Sequence, residues 1–185
     1  MSVTKEDIIK ASLRILNREG TSGLTMRALA KELDIKASSL YNHIDSRQEL
    51  YEEIAEYICS LYVMPDKWDG PTDFLIQSCL AYRAMLKSVH GCVPIFEETI
   101  SDAGCRMKIR RTVADKCLEL GILQENIPII TNMLIRYTLS FTADEYRNSY
   151  TPASDAQINH ERRFLLGLQV IIAGAVATKD QRAQA

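Results

Sequence analysis

Apolar side chains recur along most of the chain at the spacing of one helix face, while the strict alternation of a half-buried strand is almost absent. Glycine and proline interrupt these repeats, as at Gly20, Pro71, Gly121 and Pro128. The pattern predicts an all-α protein. Its predicted helices span residues 4–19, 26–33, 37–44, 46–64, 71–89, 95–100, 102–120 and 128–147, and a last helix begins at residue 154.

Three of these helices begin with a pair of residues typical of a capping box, in which two side chains accept hydrogen bonds from free backbone N–H groups. The pairs are Thr4 with Asp7, Ser46 with Glu49 and Ser154 with Gln157. Gly20 lies where a C-terminal cap belongs. Residues 65–70 and 148–153 are predicted to be polar connections.

Two short predicted helices are joined by the three-residue turn Asp34-Ile35-Lys36. The first helix places Leu29, Ala30 and Leu33 on one face. Ile35 can fill the angle between the two helices. The arrangement predicts a helix-turn-helix.

The second of these helices is predicted to bury Leu40 and Ile44, which are four residues apart. That register turns outward a set of small, hydroxyl, amide and aromatic side chains, namely Ala37, Ser38, Ser39, Tyr41 and Asn42. Serine and asparagine offer both donors and acceptors, and small side chains allow close approach to base edges. We interpret this face as one that enters the major groove of DNA.

The segment Leu40-Tyr41-Asn42-His43-Ile44 resembles the Leu-Tyr-x-His-aromatic/aliphatic signature of the TetR family of transcriptional repressors. The resemblance covers roughly the first 55 residues, from the opening helix to the start of the fourth helix at Arg47. It implies a three-helix DNA-binding head over residues 1–50. Residues 51–185 would form a helical body that binds an effector and forms a homodimer.

A second stretch, Phe164–Gly174 (FLLGLQVIIAG), is similar to the last dimer helix of the tetracycline-repressor subclass. Where that subclass carries basic residues before its fourth helix, this chain has Asp45-Ser46 and keeps Arg47. The stretch Gly91–Phe96 aligns with the magnesium-binding histidine of that subclass but contains no histidine. Tetracycline–magnesium is therefore not the expected inducer.

The resemblance assigns roles to individual residues of the head. Tyr41 is expected to contact both a phosphate and a thymine methyl group, while Ser38, Ser39 and Asn42 read base edges. His43 would fix the end of the helix or touch a phosphate. Arg27 is expected to reach a base or a phosphate, and Lys36 and Arg47 are expected to hold the DNA backbone. The complete set of expected DNA contacts is Arg27, Lys36, Ala37, Ser38, Ser39, Tyr41, Asn42, His43 and Arg47.

The charge distribution fits a protein with a few phosphate contacts rather than a general polycation. The 185-residue chain has 25% charged residues and a formal net charge of −2. Residues 1–50 carry eight Lys or Arg and seven Asp or Glu, so the head is weakly basic. A weakly basic head suits recognition by groove fit.

The composition excludes several classes of protein. The five cysteines show no Cys-x-x-Cys spacing and the three histidines are far apart, which argues against a disulfide framework or a zinc site formed by local ligands. No metal and no cofactor are expected. Scattered thiols and the lack of a signal-peptide pattern predict a cytoplasmic protein. The longest apolar run, Phe164–Ala177, is too short for a bilayer, which takes about 20 residues. No nucleophile elbow or phosphate loop indicates an enzyme.

The predicted body is rich in aromatic residues and methionine, which form either an ordinary core or an apolar effector cavity. The expected effector contacts are Tyr62, Tyr82, Met85, Phe96, Met107, Met133 and Tyr137. The polar residues on the same helices are expected to lie on solvated faces; they are Glu97, Arg106, Arg110, Asn132 and Arg136. The expected effector is therefore a small hydrophobic or amphipathic molecule.

The last helix is apolar almost all round, so it must be covered on every side. One face can be covered by the chain itself, and a second subunit related by twofold symmetry would cover another, with residues 129–147 alongside. The expected interface residues are Phe164, Gly167, Leu168, Ile171 and Gly174.

These observations predict a repressor that binds a palindromic double-stranded DNA operator as a homodimer and is released by a small effector. The alternative is a helical adaptor that binds only protein and takes no effector. The polar outward face of residues 37–42 favours the first interpretation.

Overall fold

A computed structural model describes residues 3–99, 104–148 and 160–178, and within these ranges the regular structure is entirely helical. The helices are α1 (Lys5–Gly23), α2 (Met26–Glu32), α3 (Ala37–Leu40), α4 (Arg47–Ser60), α5 (Gly70–Lys87), α6 (Val93–Glu98), α7 (Gly104–Glu119), α8 (Ile127–Asn148) and α9 (His160–Ala177). The all-α prediction is confirmed. No described helix is both long and apolar enough to cross a membrane.

The predicted capping box at the start of α1 is confirmed. The Thr4 hydroxyl accepts the Asp7 N–H at 3.2 Å, and the Asp7 carboxylate accepts the Thr4 N–H at 3.0 Å. Gly20 interrupts the helix with φ 66° and ψ −167°, values that a residue with a side chain rarely adopts. The regular part of α1 therefore ends near the predicted position, and a further turn follows as far as Gly23.

The turn between α2 and α3 has the hydrogen bonds of a Schellman motif. The Ile35 N–H donates to the Ala30 carbonyl at 3.0 Å and the Asp34 N–H donates to the Lys31 carbonyl at 3.2 Å. Asp34 has φ 53°, in the left-handed region that short polar residues tolerate better than most. These two bonds end α2 and set the direction in which the chain enters α3.

Two predicted features of the fourth helix are wrong in detail. Helix α4 ends at Ser60 rather than near residue 64. The Ser46 hydroxyl accepts the Glu49 N–H at 3.1 Å, but the Glu49 carboxylate accepts from the Asp45 N–H, one residue before the expected donor.

Helix α6 begins at Val93, earlier than predicted. Proline is tolerated in a first turn because its missing N–H would have had no partner within the helix, and Pro94 occupies such a position. Helix α8 begins at Ile127 with Pro128 in its first turn, as predicted. The start of the helix predicted from residue 102, most of the loop 148–153 and the Ser154–Gln157 pair lie outside the described residues.

The chain forms two compact units. The first contains the described residues of 1–62 and 85–106, and the second contains those of 63–84 and 107–185. The predicted boundary within the fourth helix separates a DNA-binding head, residues 1–50, from an effector-binding body, residues 51–185. That division of function stays a prediction.

Within the first unit, the segment before α6 lies directly against the end of α1. Gly91 has φ 71°, and a Cβ atom added there would lie 3.0 Å from the Gly20 Cα. The His90 N–H donates to the Asn17 side-chain oxygen at 3.1 Å. Only glycine at position 91 allows both this backbone conformation and this approach.

The second unit is built around α8, α9 and neighbouring parts of α5 and α7. Its buried core consists of Leu75, Cys79, Val113, Cys117, Ile122, Ile127, Ile130, Leu134, Phe164, Leu168, Ile172 and Ala175. The Tyr137 ring stacks on Phe164 with 5.5 Å between centroids, and Phe141 lies 5.2 Å from Phe164. The Arg83 guanidinium lies 5.1 Å from the Phe164 ring and forms an ion pair with Glu145 that is largely buried.

Candidate nucleic-acid interface

The outward face of α3 is exposed and its inward face is buried. Leu40 and Ile44 are 0% and 1% exposed, whereas 49% of Tyr41 is exposed. The Tyr41 N–H donates to the Ala37 carbonyl at 3.3 Å and the Ile44 N–H to the Leu40 carbonyl at 3.1 Å, so helical hydrogen bonding continues beyond α3 itself. The exposed residues of this segment are Lys36, Ala37, Ser38, Tyr41 and Asn42.

The two remaining candidates on this segment are half-buried. The Ser39 N–H donates to the Lys36 carbonyl at 2.9 Å, and the His43 N–H donates to the Leu40 carbonyl at 3.0 Å. Their backbone groups therefore close the two ends of the helical turn, while part of each side chain is accessible. The role expected for the His43 side chain stays a prediction.

Arg47, in the first turn of α4, is held by its own helix. Its guanidinium donates to the Tyr51 hydroxyl and lies 4.7 Å from the centre of the Tyr51 ring. This hydrogen bond raises the pKa of Arg47. The side chain is therefore held against the first turns of its own helix.

The basic residues of the head fall into two groups. Arg14 and Arg18 both pair with Glu32, at 2.9 and 3.2 Å, so their charges are balanced within the protein. Lys5 and Lys10 also pair with carboxylates. Within the described part of the chain, the exposed residues Arg27, Lys31 and Lys36 form no ion pair. Lys31 is not among the predicted contacts, but it resembles Arg27 and Lys36 in its exposure.

The residues expected to contact an effector divide between the two units. Tyr62, Met85 and Phe96 belong to the first, and the second contains Tyr82, Met107, Met133 and Tyr137. Most are buried or half-buried, but Met133 is 45% exposed. Tyr137 belongs to the aromatic stack of the second unit, and its hydroxyl donates to the Phe164 carbonyl at 3.1 Å.

The polar residues expected on solvated faces do not all lie there. Glu97, Asn132 and Arg136 are exposed, as expected, and Arg110 is half-buried. Arg106 is only 9% exposed, so the expectation is wrong for that residue. Its side chain extends back to Thr99, and Nη1 donates to the Thr99 hydroxyl at 2.8 Å.

The residues expected at a dimer interface lie on different faces of α9. Phe164 and Leu168 are completely buried in the core of their own unit, so they are unavailable to a second subunit. Ile171 packs partly against the same core. A Cβ atom on Gly167 would overlap the Tyr137 hydroxyl, so this glycine accommodates a neighbour within the chain. Only Gly174 has open space beside it.

An exposed apolar stripe runs along the outer face of α9. Leu166 and Val170 are 59% and 64% exposed, and Ala173 and Gly174 follow on the same face. On α8, Ile129 is 59% exposed and Met133 also projects into solvent. These exposed residues of α9 are spaced i, i+4, i+7 and i+8 along the sequence. The buried face of the helix is equally apolar, so periodicity alone does not indicate which of the two faces is exposed.

Four of the five cysteines are buried. Burial raises the pKa of the Cys59, Cys79 and Cys92 thiols to about 12, which keeps them protonated at neutral pH. In the described ranges, no group of histidine, cysteine and acidic side chains could hold a metal ion.

Comparison with known proteins finds relatives of the segment that contains α3. Residues 8–54 match the family model described as bacterial regulatory proteins, tetR family. Over 87 residues the chain is 31% identical to the tetracycline repressor protein class D of Escherichia coli, a match that covers 45% of this chain and 40% of that protein. The chain therefore spans less than half the length of this curated relative.

Two solved structures match over almost the whole chain. BioQ with its double-stranded DNA operator has a TM-score of 0.81 and 26% identity, covering 95% of this chain and 99% of that chain. ActR from Streptomyces coelicolor in complex with actinorhodin has a TM-score of 0.84 and 22% identity, covering 97% of this chain and 99% of that chain. The second likeness concerns the fold alone.

Proposed function

We propose that this chain, a member of the TetR family of bacterial regulatory proteins, represses transcription by binding a palindromic DNA operator as a homodimer and releasing it when a small effector binds. The observation that carries the proposal is the polar, exposed face of α3 above the buried Leu40 and Ile44. A helix with one anchored face and one face of small polar groups can enter a major groove without losing its own packing.

In this proposal Ser38, Tyr41 and Asn42 contact bases, together with the half-buried Ser39. Positively charged side chains contact phosphates and set the register of the head on the duplex. The cations available for this are Arg27, Lys31, Lys36 and Arg47, since the other basic side chains of the head are paired with carboxylates.

A homodimer is supported by the exposed apolar stripe of α9 and the neighbouring exposed residues of α8. Isolated apolar side chains on a surface are normal, but a continuous stripe marks a surface that another molecule covers. A twofold axis would bring the same stripe of two subunits together and form a four-helix interface. Leu166, Val170 and Gly174 then replace Phe164 and Leu168 as the proposed contacts.

Placing a charge in this stripe is expected to separate the subunits. Val170→Glu puts two carboxylates near the twofold axis, and like charges at an interface cost several kcal/mol, which weakens the dimer on the order of 100-fold. Sedimentation at micromolar concentration measures the result. Leu118→Glu is the matched control, because Leu118 is 57% exposed on α7 and lies outside the stripe. A Val170→Glu protein that stays dimeric contradicts the interface.

A second variant guards against a general loss of folding. A Cβ on Gly174 has no atom of its own chain within 4 Å, so Gly174→Leu can be accommodated by the subunit but not by a close helix crossing. Gly167 is unsuitable for this purpose, because a side chain there would collide with Tyr137. We expect Gly174→Leu to be a folded monomer by circular dichroism and sedimentation.

The proposed effector site lies in the first unit and includes Tyr62, Met85 and Phe96. That unit also contains the helix-turn-helix and the contact between Gly91 and Gly20. An effector that favours one arrangement of this unit can change operator affinity only by as much as it prefers that arrangement.

The experiment that tests the proposal begins with selection of bound sequences from a random DNA pool. A palindrome with half-sites about 10 base pairs apart is expected for two recognition helices on one face of the duplex. Compounds are then screened for release of the selected DNA. An effector should raise the melting temperature of the protein over the same concentration range in which it releases DNA. Failure to enrich any sequence contradicts the proposal and favours the protein-binding adaptor.

A further inference from the structure

Arg106 is a buried cation that is only partly satisfied. Only 9% of the residue is exposed. Its Nη1 donates to the Thr99 hydroxyl at 2.8 Å and to the Thr99 carbonyl at 3.4 Å. The other two donor nitrogens, Nε and Nη2, are buried and have no hydrogen-bond acceptor among the described residues. Arginine keeps its proton at any ordinary pH, so this site holds a permanent positive charge.

Such an arrangement needs a physical reason. Buried polar groups nearly always have hydrogen-bond partners, and a buried charge without a counterion destabilises a protein unless something offsets it. Glu56, a carboxylate in the same unit, accepts a hydrogen bond from the backbone N–H of Cys105. The Glu56 carboxylate is therefore engaged by the backbone at the first turn of α7.

The two unpartnered nitrogens define the chemistry of a matching ligand. Nε and Nη2 lie on one edge of the guanidinium, and that edge donates two parallel hydrogen bonds to the two oxygens of a carboxylate. The Arg83–Glu145 ion pair of this chain has the same two-bond geometry. Nε of Arg83 donates to one oxygen of Glu145 at 2.8 Å, and Nη2 of Arg83 donates to the other.

One aromatic ring lies within reach of the guanidinium. The Arg106 guanidinium carbon lies 6.0 Å from the centre of the Phe96 ring, and Phe96 is 6% exposed. Burial raises the pKa of the Cys59 thiol in the same unit, and the positive charge of Arg106 opposes that rise. A ligand here would meet a cation at one point and hydrophobic side chains around it.

We propose that Arg106 binds the carboxylate of an amphipathic effector through Nε and Nη2, while the apolar part of that effector packs against Phe96. This inference rests on the proposed function, whose effector site lies in the same unit. It changes the expected ligand from a generally hydrophobic molecule to an apolar carboxylic acid in its ionised form.

The test compares acids with their uncharged amides. The probes are 2-naphthoate with 2-naphthamide and decanoate with decanamide, added to the full-length protein in thermal unfolding and titration calorimetry. Both carboxylates are expected to stabilise the wild-type protein more than their amides do. Arg106→Met, which keeps the volume but removes the charge, should weaken carboxylate binding at least tenfold and leave amide binding unchanged. Arg111→Met is the control, because Arg111 is an exposed arginine on the same helix.

Arg106→Met is also expected to unfold at the same or a higher denaturant concentration than the wild type, because it removes an unpaired buried charge. A large loss of stability would mean that the arginine is structural and would overturn the proposal. Equal binding of acid and amide to the wild type, or equal carboxylate binding by wild type and Arg106→Met, would also overturn it. Arg106→Lys retains the charge without the two-donor edge and is expected to keep a preference for the acid that is weaker than that of the wild type.

Release of the selected operator is measured separately in each protein. If some other compound releases DNA from the wild type and Arg106→Met alike, the proposed function stands and this inference fails. If carboxylates bind through Arg106 but no operator can be selected, the site stands and the proposed function fails.

Discussion

Replacing both Tyr41 and Asn42 with alanine is expected to weaken operator binding by about 2–6 kcal/mol, because each lost base contact costs about 1–3 kcal/mol. Both side chains are exposed on the outward face of α3, so their removal leaves the buried contacts of Leu40 and Ile44 in place. The measurement is a titration of the selected operator and of a scrambled duplex at fixed salt concentration. The helical content of the variant should match that of the wild type.

Lys36→Ala is the matched control for this double substitution. Lys36 is exposed just before α3 and forms no ion pair with any described residue, so it is suited to a phosphate contact. Its removal should weaken operator and scrambled DNA alike and reduce the dependence of affinity on salt by about one phosphate contact. If the double variant keeps full operator affinity, α3 does not read the bases.

Glu145→Ala is expected to destabilise the protein by about 3–5 kcal/mol, because it leaves the Arg83 cation buried without its counterion. Only 13% of the Arg83 side chain and 10% of the Glu145 side chain are exposed. The Arg83 guanidinium carbon also lies 5.9 Å from the centre of the Phe141 ring and 5.1 Å from the centre of the Phe164 ring. Loss of the carboxylate therefore affects the aromatic centre of the second unit. Urea denaturation gives the change in the free energy of unfolding.

The neighbouring residue Asp144 provides the control. It pairs with Arg147 at 2.5 Å, but 62% and 70% of the two side chains are exposed. Exposed ion pairs contribute about 0–1 kcal/mol, so Asp144→Ala should barely change the free energy of unfolding. Equal effects of the two substitutions would show that burial of the Arg83–Glu145 pair does not determine its contribution.

The sequence predicted the features that depend on local spacing. The burial of Leu40 and Ile44 follows from a four-residue interval, and the caps at Thr4 and Ser46 follow from hydroxyl groups at helix starts. These interactions join residues close together in the chain, so a single sequence contains the information needed to predict them. Fold class and the helix-turn-helix were predictable for the same reason.

The features that the sequence did not predict depend on distant contacts. Helix α9 is apolar on several faces, so periodicity could not separate the covered Phe164 and Leu168 from the exposed Leu166 and Val170. Arg106 resembles a surface residue in its sequence context, and its burial becomes visible only when Thr99 is placed beside it.

The close approach of Gly91 to Gly20 has a consequence for building regulators with new DNA specificity. A common strategy would graft the first 50 residues of one regulator onto the remainder of another. In this protein such a graft replaces the Gly20 side of the contact and retains the Gly91 side, so the two surfaces come from different parents. A β-carbon introduced at either position would strain a backbone with positive φ. Exchanging residues 85–106 together with the head transfers both sides of the contact as one cassette.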